Sequence, residues 1–262
     1  MKKNRLKEAL KNGKTVFGPF LKLTDPAVVE IMGFAGFDFV IIDQEHGPIS
    51  IESAQNMIRA AEAADVTPII RVPDNDEPLI LRALDIGAQG VEIPQINCKD
   101  DALKAVKSVK YSPQGARGVC RYVRAANYSS IDKFDYFKSA NNETMIIAHI
   151  EGVQGINNLD EILSVPGLDI IFIGPYDLSQ SLSIPGKVND PLVVDKMREV
   201  ISKCKENNVV VGTFADDVET AKLWTSLGAQ YISFSVDVGI LFEASRNIVN
   251  ELKSEIFSAH LT

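Results

Sequence analysis

The sequence is poor in the residues that mark several common functions. Its 262 residues hold three cysteines, Cys98, Cys120 and Cys204, scattered without metal-ligand spacing, so a disulfide framework is not expected. No apolar run approaches the roughly 20 residues that span a bilayer. The N-terminal stretch MKKNRLKEALKNGK has lysines with no apolar segment behind them, which is not the pattern of a signal peptide. Cationic surplus is missing too. The net charge is −8, from 27 Lys and Arg against 35 Asp and Glu, and it argues against nucleic acid or an anionic membrane as the main partner. It leaves a small anionic substrate open, because one local basic group is enough to bind it. A soluble cytoplasmic protein is the expectation.

What is present is an ordinary globular balance, 45% hydrophobic and 24% charged, in a chain long enough for one large α/β domain or two small ones. Short apolar, β-branched runs recur at 15–23, 37–42, 67–72, 90–96, 144–150, 169–173, 209–214 and 230–234. Strands covered on both faces read this way. Helical spacing fills the intervals at 51–64 (with Ser50 as a cap), 77–86, 101–109, 157–165, 191–206 and 217–227. Gly36, Gly87, Gly167 and Gly228 each stand just before a strand, where a left-handed residue ends a helix. Eight strands alternating with helices predict a (β/α)8 TIM barrel spanning 1–262 as a single domain. A doubly wound sheet competes, but KLTDPAVVE after the first strand is no glycine-rich phosphate loop. One connection, 110–130, is long for a compact loop, and loops of that length are often functional.

In a barrel, chemistry gathers where strands end. The second strand runs into Asp43, Glu45 and His46, the third ends at Arg71, the fifth at His149 and Glu151, and the sixth runs into Gly174-Pro175-Tyr176-Asp177. Glu151 and Asp177 are candidate ligands for a hard divalent cation, which takes carboxylate oxygen; the alternative is a helix N-terminal acid and a solvated cap. His46 is a candidate general base oriented by Asp43 or Glu45, or a histidine held by its own loop. Arg71 suits a carboxylate or a developing oxyanion, or else a salt bridge to Asp43 or Glu45. In the long loop, Arg117 and Arg124 beside glycine either clamp an anionic substrate or hold the loop by ion pairs. Cys120 has no base partner, His260 is expected to fray, and Trp224 fits a helix core position.

The set DQEHG (43–47), IIRVP (69–73), GAQGVEIPQI (87–96), GARG with RA (115–125), IEGVQGINNLDEIL (150–163), VPGLDIIFIGPYDLS (165–179) and SVDVG (235–239) resembles the hydroxyheptenedioate aldolase family. These are metal-dependent class II pyruvate aldolases, related to citrate lyase β subunits. The resemblance runs from about Phe17 to the last helix. It implies a (β/α)8 barrel using a divalent metal ion (Mg2+, Mn2+ or Co2+). By the motif, Glu151 and Asp177 match the metal ligands, His46 the catalytic base, and Arg71 the residue that binds the pyruvate oxygens. Asp43 and Asp85 match acids that support the histidine and shape the site, and the backbone around Gly174, Pro175 and Tyr176 matches the pyruvate carboxylate pocket. The implied reaction releases pyruvate and an aldehyde from a 4-hydroxy-2-oxo acid. Alternatives are an oxaloacetate-type decarboxylase on the same site and a non-catalytic pyruvate-binding protein. The implied assembly is a homo-oligomer, a trimer or hexamer, with the C-terminal helix (240–257) exchanged between neighbours. Departures from the pattern are His149, where glutamine is usual, Tyr176, where alanine is frequent, and the bulky Arg121 and Tyr122.

Overall fold

The computed structural model describes residues 2–259. His260, for which fraying was expected, lies outside the described residues. The strands are β1 Val16–Leu21, β2 Phe39–Asp43, β3 Thr67–Arg71, β4 Gly90–Ile93, β5 Met145–Ile150, β6 Ile170–Ile173, β7 Val210–Ala215 and β8 Tyr231–Val236. Each pairs in parallel with the next, and β8 returns to β1, closing the barrel. β2, β3, β5 and β6 are buried along their whole length, as strands with a packed interior and a helical cover must be.

The helices are α1 Arg5–Lys11, α2 Pro26–Phe34, α3 Ile51–Ala63, α4 Glu77–Asp85, α5 Lys99–Val109, α6 Lys133–Glu143, α7 Val153–Asn157, α8 Leu159–Leu163, α9 Pro175–Ser181, α10 Pro191–Glu206, α11 Val218–Leu227 and α12 Asp237–Ala259. Ser50 caps α3 as expected, accepting from the Ser53 amide at 3.1 Å. Asp25, Asp76, Asp132, Asp190 and Asp217 cap α2, α4, α6, α10 and α11, so part of the acidic surplus starts helices, at about 1 kcal/mol per cap. The four punctuating glycines have φ between 100° and 112°. At Gly228, which ends α11 in the left-handed region, a side chain would be strained.

Three local readings change. The expected helix at 157–165 shortens to α8, preceded by a separate short helix, α7, and Asn158 between them has a side chain that donates to the Asn97 carbonyl at 2.8 Å. The fourth strand stops at Ile93 because Pro94 has no amide proton and Gln95 turns with φ 55°. The periodicity reading also passed over α1, α2, α6 and α9.

Of three buried apolar clusters among the described residues, the smallest gathers Tyr111, Ala126, Tyr136 and Ala140, and the two large ones sit back to back. One lies between barrel and helices. The other fills the barrel interior with Val16, Phe20, Phe39, Ile41, Ile69, Met145, Ile147, Ile170, Phe172 and Tyr231. Leu6 and Leu10 of α1 join it and close the floor, the N-terminal end of the strands. Inward glycines make room for large rings. A Cβ on Gly18 would meet the Phe39 ring at 2.5 Å, and Phe39 stacks on Tyr231 at 4.1 Å. Among the described residues no helix is long and apolar enough to cross a membrane.

Candidate active site

Strand alternation carries the interior pattern upward to the rim. Asp43 is two residues beyond Ile41, Arg71 two beyond Ile69, and His149 two beyond Ile147; Glu92 is in register with Arg71. The layer above the apolar core is therefore polar on its β2–β5 side. On the other side it is aromatic, with Phe20, Phe172 and Phe214.

Asp43 and Arg71 form the centre of the polar half. Arg71 Nε donates to Asp43 Oδ1 at 2.9 Å and Nη2 to Oδ2 at 2.7 Å. Asp43 Oδ1 also accepts the Glu45 and His46 amides at 3.1 Å each. Burial alone would raise the Asp43 carboxyl, but Arg71 and these two amides outweigh it and hold it below the usual carboxylate value. Glu45 Oε2 lies 3.1 Å from Arg71 Nη1. That is a charge contact without hydrogen-bond alignment, since the same oxygen has no hydrogen-bond partner. The Arg71 guanidinium sits 4.5 Å over the Phe20 ring. Asp43 is thus filled by Arg71 and backbone amides. It touches His46 through the backbone and does not orient the imidazole. His46 is exposed at the edge, with Nε2 3.9 Å from Glu45 Oε2.

The second part is a carboxylate cluster. Glu151 follows β5, and Asp177 sits in the first turn of α9. A Cβ on Gly174 would lie 2.7 Å from Asp177 Oδ2 and 3.4 Å from His149 Nε2. The missing side chain therefore lets Asp177 fold back towards β5. Burial, then the charges of Glu45 and Asp177, push the Glu151 carboxyl up to about 7. Among the described residues no group of three or more His, Cys, Asp or Glu is arranged as a metal cage. Two carboxylates with water and substrate oxygens are nonetheless a common arrangement for magnesium or manganese. The mutual repulsion of Glu45, Glu151 and Asp177 is what a divalent cation relieves, so the donors fit one.

Beneath the cluster lies a buried pair that sequence reasoning missed in part. Glu92 is wholly buried, and neither of its carboxylate oxygens has a hydrogen-bond partner. His149 Nδ1 lies 3.7 Å from Glu92 and 3.3 Å from Glu151. Burial raises Glu92 to about 8 and lowers His149 to about 3. Burial thus favours the neutral form of each. The signal for Glu92 was present, as the lone acid in the otherwise apolar strand GVEI.

Two sets of sequence candidates lie away from the rim groups of this chain. Asp85 does not join the site within this chain. It ends α4, and barrel helices run from rim back to floor, so a helix C-terminus lies at the far end. There it accepts from Arg117 Nη2 at 2.6 Å. Arg117 and Arg124 are not a substrate clamp in this chain either. Arg117 is buried and lies 4.7 Å over Tyr111, while Arg124 binds Glu62 and the Ile86 carbonyl. The long loop is held by ion pairs, the plainer of its two readings. The 740 Å³ cavity beside α1 is also at the floor, lined by Lys7, Lys11 and Asp169, away from the rim groups.

Comparison with known proteins gives the family and the fold. Residues 17–244 match the family described as HpcH/HpaI aldolase/citrate lyase. A hydroxypyruvate/pyruvate aldolase of Paraburkholderia phytofirmans is 34% identical over 257 residues, 96% of this chain and 98% of that protein. A 5-keto-4-deoxy-D-glucarate aldolase of Citrobacter koseri is 31% identical over 250 residues, 95% of this chain and 96% of that one. The crystal structure of a protein of the same family from Burkholderia cenocepacia superposes with a TM-score of 0.90 at 34% identity, covering 95% of this chain and 99% of that one.

Proposed function

Because this chain belongs to the HpcH/HpaI aldolase/citrate lyase family, and so to the carbon–carbon lyases, we propose that it cleaves a 4-hydroxy-2-oxo acid to pyruvate and an aldehyde with a divalent metal ion held by Glu151 and Asp177. The observation that carries the reading is the rim itself: an arginine fixed by Asp43 faces a cluster of carboxylates that repel one another, with a histidine at its edge. When bound, Mg2+, Mn2+ or Co2+ supplies Lewis-acid polarisation of the 2-oxo group.

The chain's own groups do the rest. Asp43 holds Arg71 rigid, so the guanidinium N–H groups it leaves free meet the developing enolate oxygen without reorganising. The first-turn amides of α9, unpaired within the helix, receive the substrate carboxylate around Gly174, Pro175 and Tyr176. His46 Nε2 takes the proton of the 4-hydroxyl. The C3–C4 electron pair then passes into the enolate as the aldehyde C=O forms, and the proton returns to C3 to give pyruvate. The uncharged Glu92–His149 pair adds no further negative charge beneath the enolate.

The assembly we propose is a homo-oligomer, a trimer or hexamer, with α12 exchanged between copies. Leu241, Phe242, Ile248, Val249 and Leu252 are exposed on α12, and an apolar groove lined by Phe17, Val218, Ala221 and Phe234 lies open between α11 and the barrel wall. Multi-angle light scattering reads the assembly directly, and a monomer would overturn it.

The test of the activity is pyruvate release from a panel of 4-hydroxy-2-oxo acids after chelation, with and without Mg2+ or Mn2+. A Glu151→Ala/Asp177→Ala double variant runs beside the native chain. Release restored by metal in the native chain alone is the expected result. Folded protein that binds pyruvate and releases none from any acid would point to a binding protein instead.

A further inference from the structure

An arc of rings leads away from Arg71. Its guanidinium lies over Phe20 at 4.5 Å, Phe20 is 6.2 Å from Phe214, and Phe214 meets Tyr176 edge-on at 6.3 Å. At the outer end the Tyr176 hydroxyl donates to the Asp216 carboxylate. The β2–β5 side of Arg71 is already filled by Asp43, Glu45 and Glu92. A substrate whose 2-oxo acid head sits between Arg71 and Glu151 therefore extends its other half along this arc.

Asp216 is not there for the fold. It lies exposed just past β7, and α11 is capped by its neighbour Asp217, which holds Thr220. Among the described residues no Lys or Arg pairs with it, and its hydrogen bond is the one from Tyr176. The Tyr176 proton is committed to Asp216, so the hydroxyl and the carboxylate at this end of the arc have only acceptor capacity left. Acceptors match an incoming O–H. They have nothing to offer a carboxylate, which the Asp216 charge repels.

Resting on the pyruvate-aldolase reading, we propose that Tyr176 and Asp216 form the acceptor wall of the site. They select 4-hydroxy-2-oxo acids whose far end carries neutral hydroxyl groups over those that end in a carboxylate.

The test uses the full chain with Mn2+ and two six-carbon 4-hydroxy-2-oxo acids, one ending in a hydroxymethyl group and one in a carboxylate. The native chain should favour the hydroxymethyl substrate by roughly tenfold or more in kcat/KM, the size of one like-charge contact in a half-solvated site. Asp216→Asn should bring the two within about threefold, and Asp216→Lys should invert the preference. Asp216 is exposed and caps nothing, so both variants should fold, which circular dichroism checks. A native preference for the carboxylate substrate, or a ratio that Asp216→Asn and Asp216→Lys both leave unchanged, overturns the proposal. Pyruvate from neither substrate would overturn the aldolase reading itself, and this inference with it.

Discussion

Asp43 and Arg71 meet through two parallel hydrogen bonds, 2.9 Å and 2.7 Å long, with Asp43 fully buried and Arg71 nearly so. The pair belongs at once to the barrel and to the chemistry. Removing one partner of a buried pair leaves the other charge without compensation. Asp43→Asn keeps the shape but turns an amide NH2 towards the guanidinium. It should cost about 2–4 kcal/mol in urea unfolding. Because Arg71 is then no longer held over Phe20, pyruvate release should fall on the order of a hundredfold. Turnover within about twofold of native would show that the arginine does not depend on this acid.

Glu92 gives a pH prediction whose sign is fixed. Burial raises its folded value to about 8 from the ordinary 4.5. Between those values the unfolded chain is ionised and the folded chain holds a proton. Stability from this group is therefore present at about pH 4.5 and is lost as pH rises towards about 8. Glu92→Gln stays neutral throughout. It should match the native chain near pH 5 and exceed it by roughly 2 kcal/mol or more at pH 8. Urea unfolding at the two pH values decides this, and an equal gap at both would mean that Glu92 is ionised in the folded chain.

These residues also show how far the sequence could be read. The barrel was legible because eight apolar runs and the glycines before them are local signals, and the rule that chemistry gathers at strand ends brought Asp43, Arg71 and His149 to one rim. Glu92 escaped because one acid within an apolar four-residue strand looks like noise until its neighbours on β3 and β5 are placed. Asp85 rests on motif similarity alone, which fixes a position in the chain and not an end of the barrel. Tyr176, in the first turn of α9, and Asp216, just past β7, stand 40 residues apart. No local pattern predicts that they touch.

His149 should act on the cation site by position. Its Nδ1 lies 3.3 Å from Glu151 with no hydrogen bond formed between them, so the imidazole limits where that carboxylate can swing by filling the space beside it. His149→Ala removes this support and opens a void beside Phe172, whose ring meets the imidazole edge at 4.7 Å. Calorimetric titration with Mn2+ should show affinity weakened by about tenfold or more, while His149→Gln, which keeps a polar side chain beside Glu151, should recover most of it. Equal affinities in the native chain and both variants would limit His149 to packing.

Gly174 offers a way to disturb the carboxylates and leave the fold alone. Its backbone, with φ −77° and ψ 109°, suits any residue, so Gly174→Ala strains nothing in the chain path. The new methyl would stand 2.7 Å from Asp177 Oδ2 and 3.4 Å from His149 Nε2. The Asp177 carboxylate must swing away from β5. Thermal stability should move by less than about 1 kcal/mol. Mn2+ affinity and pyruvate release should each fall by about tenfold or more, because the two proposed ligands no longer face one point. Loss of both with the fold intact would tie the cation to Asp177. Unchanged affinity would mean that Asp177 is not a ligand, and that the cation, if held, rests on Glu151 with another rim acid, with Glu45 the nearest candidate.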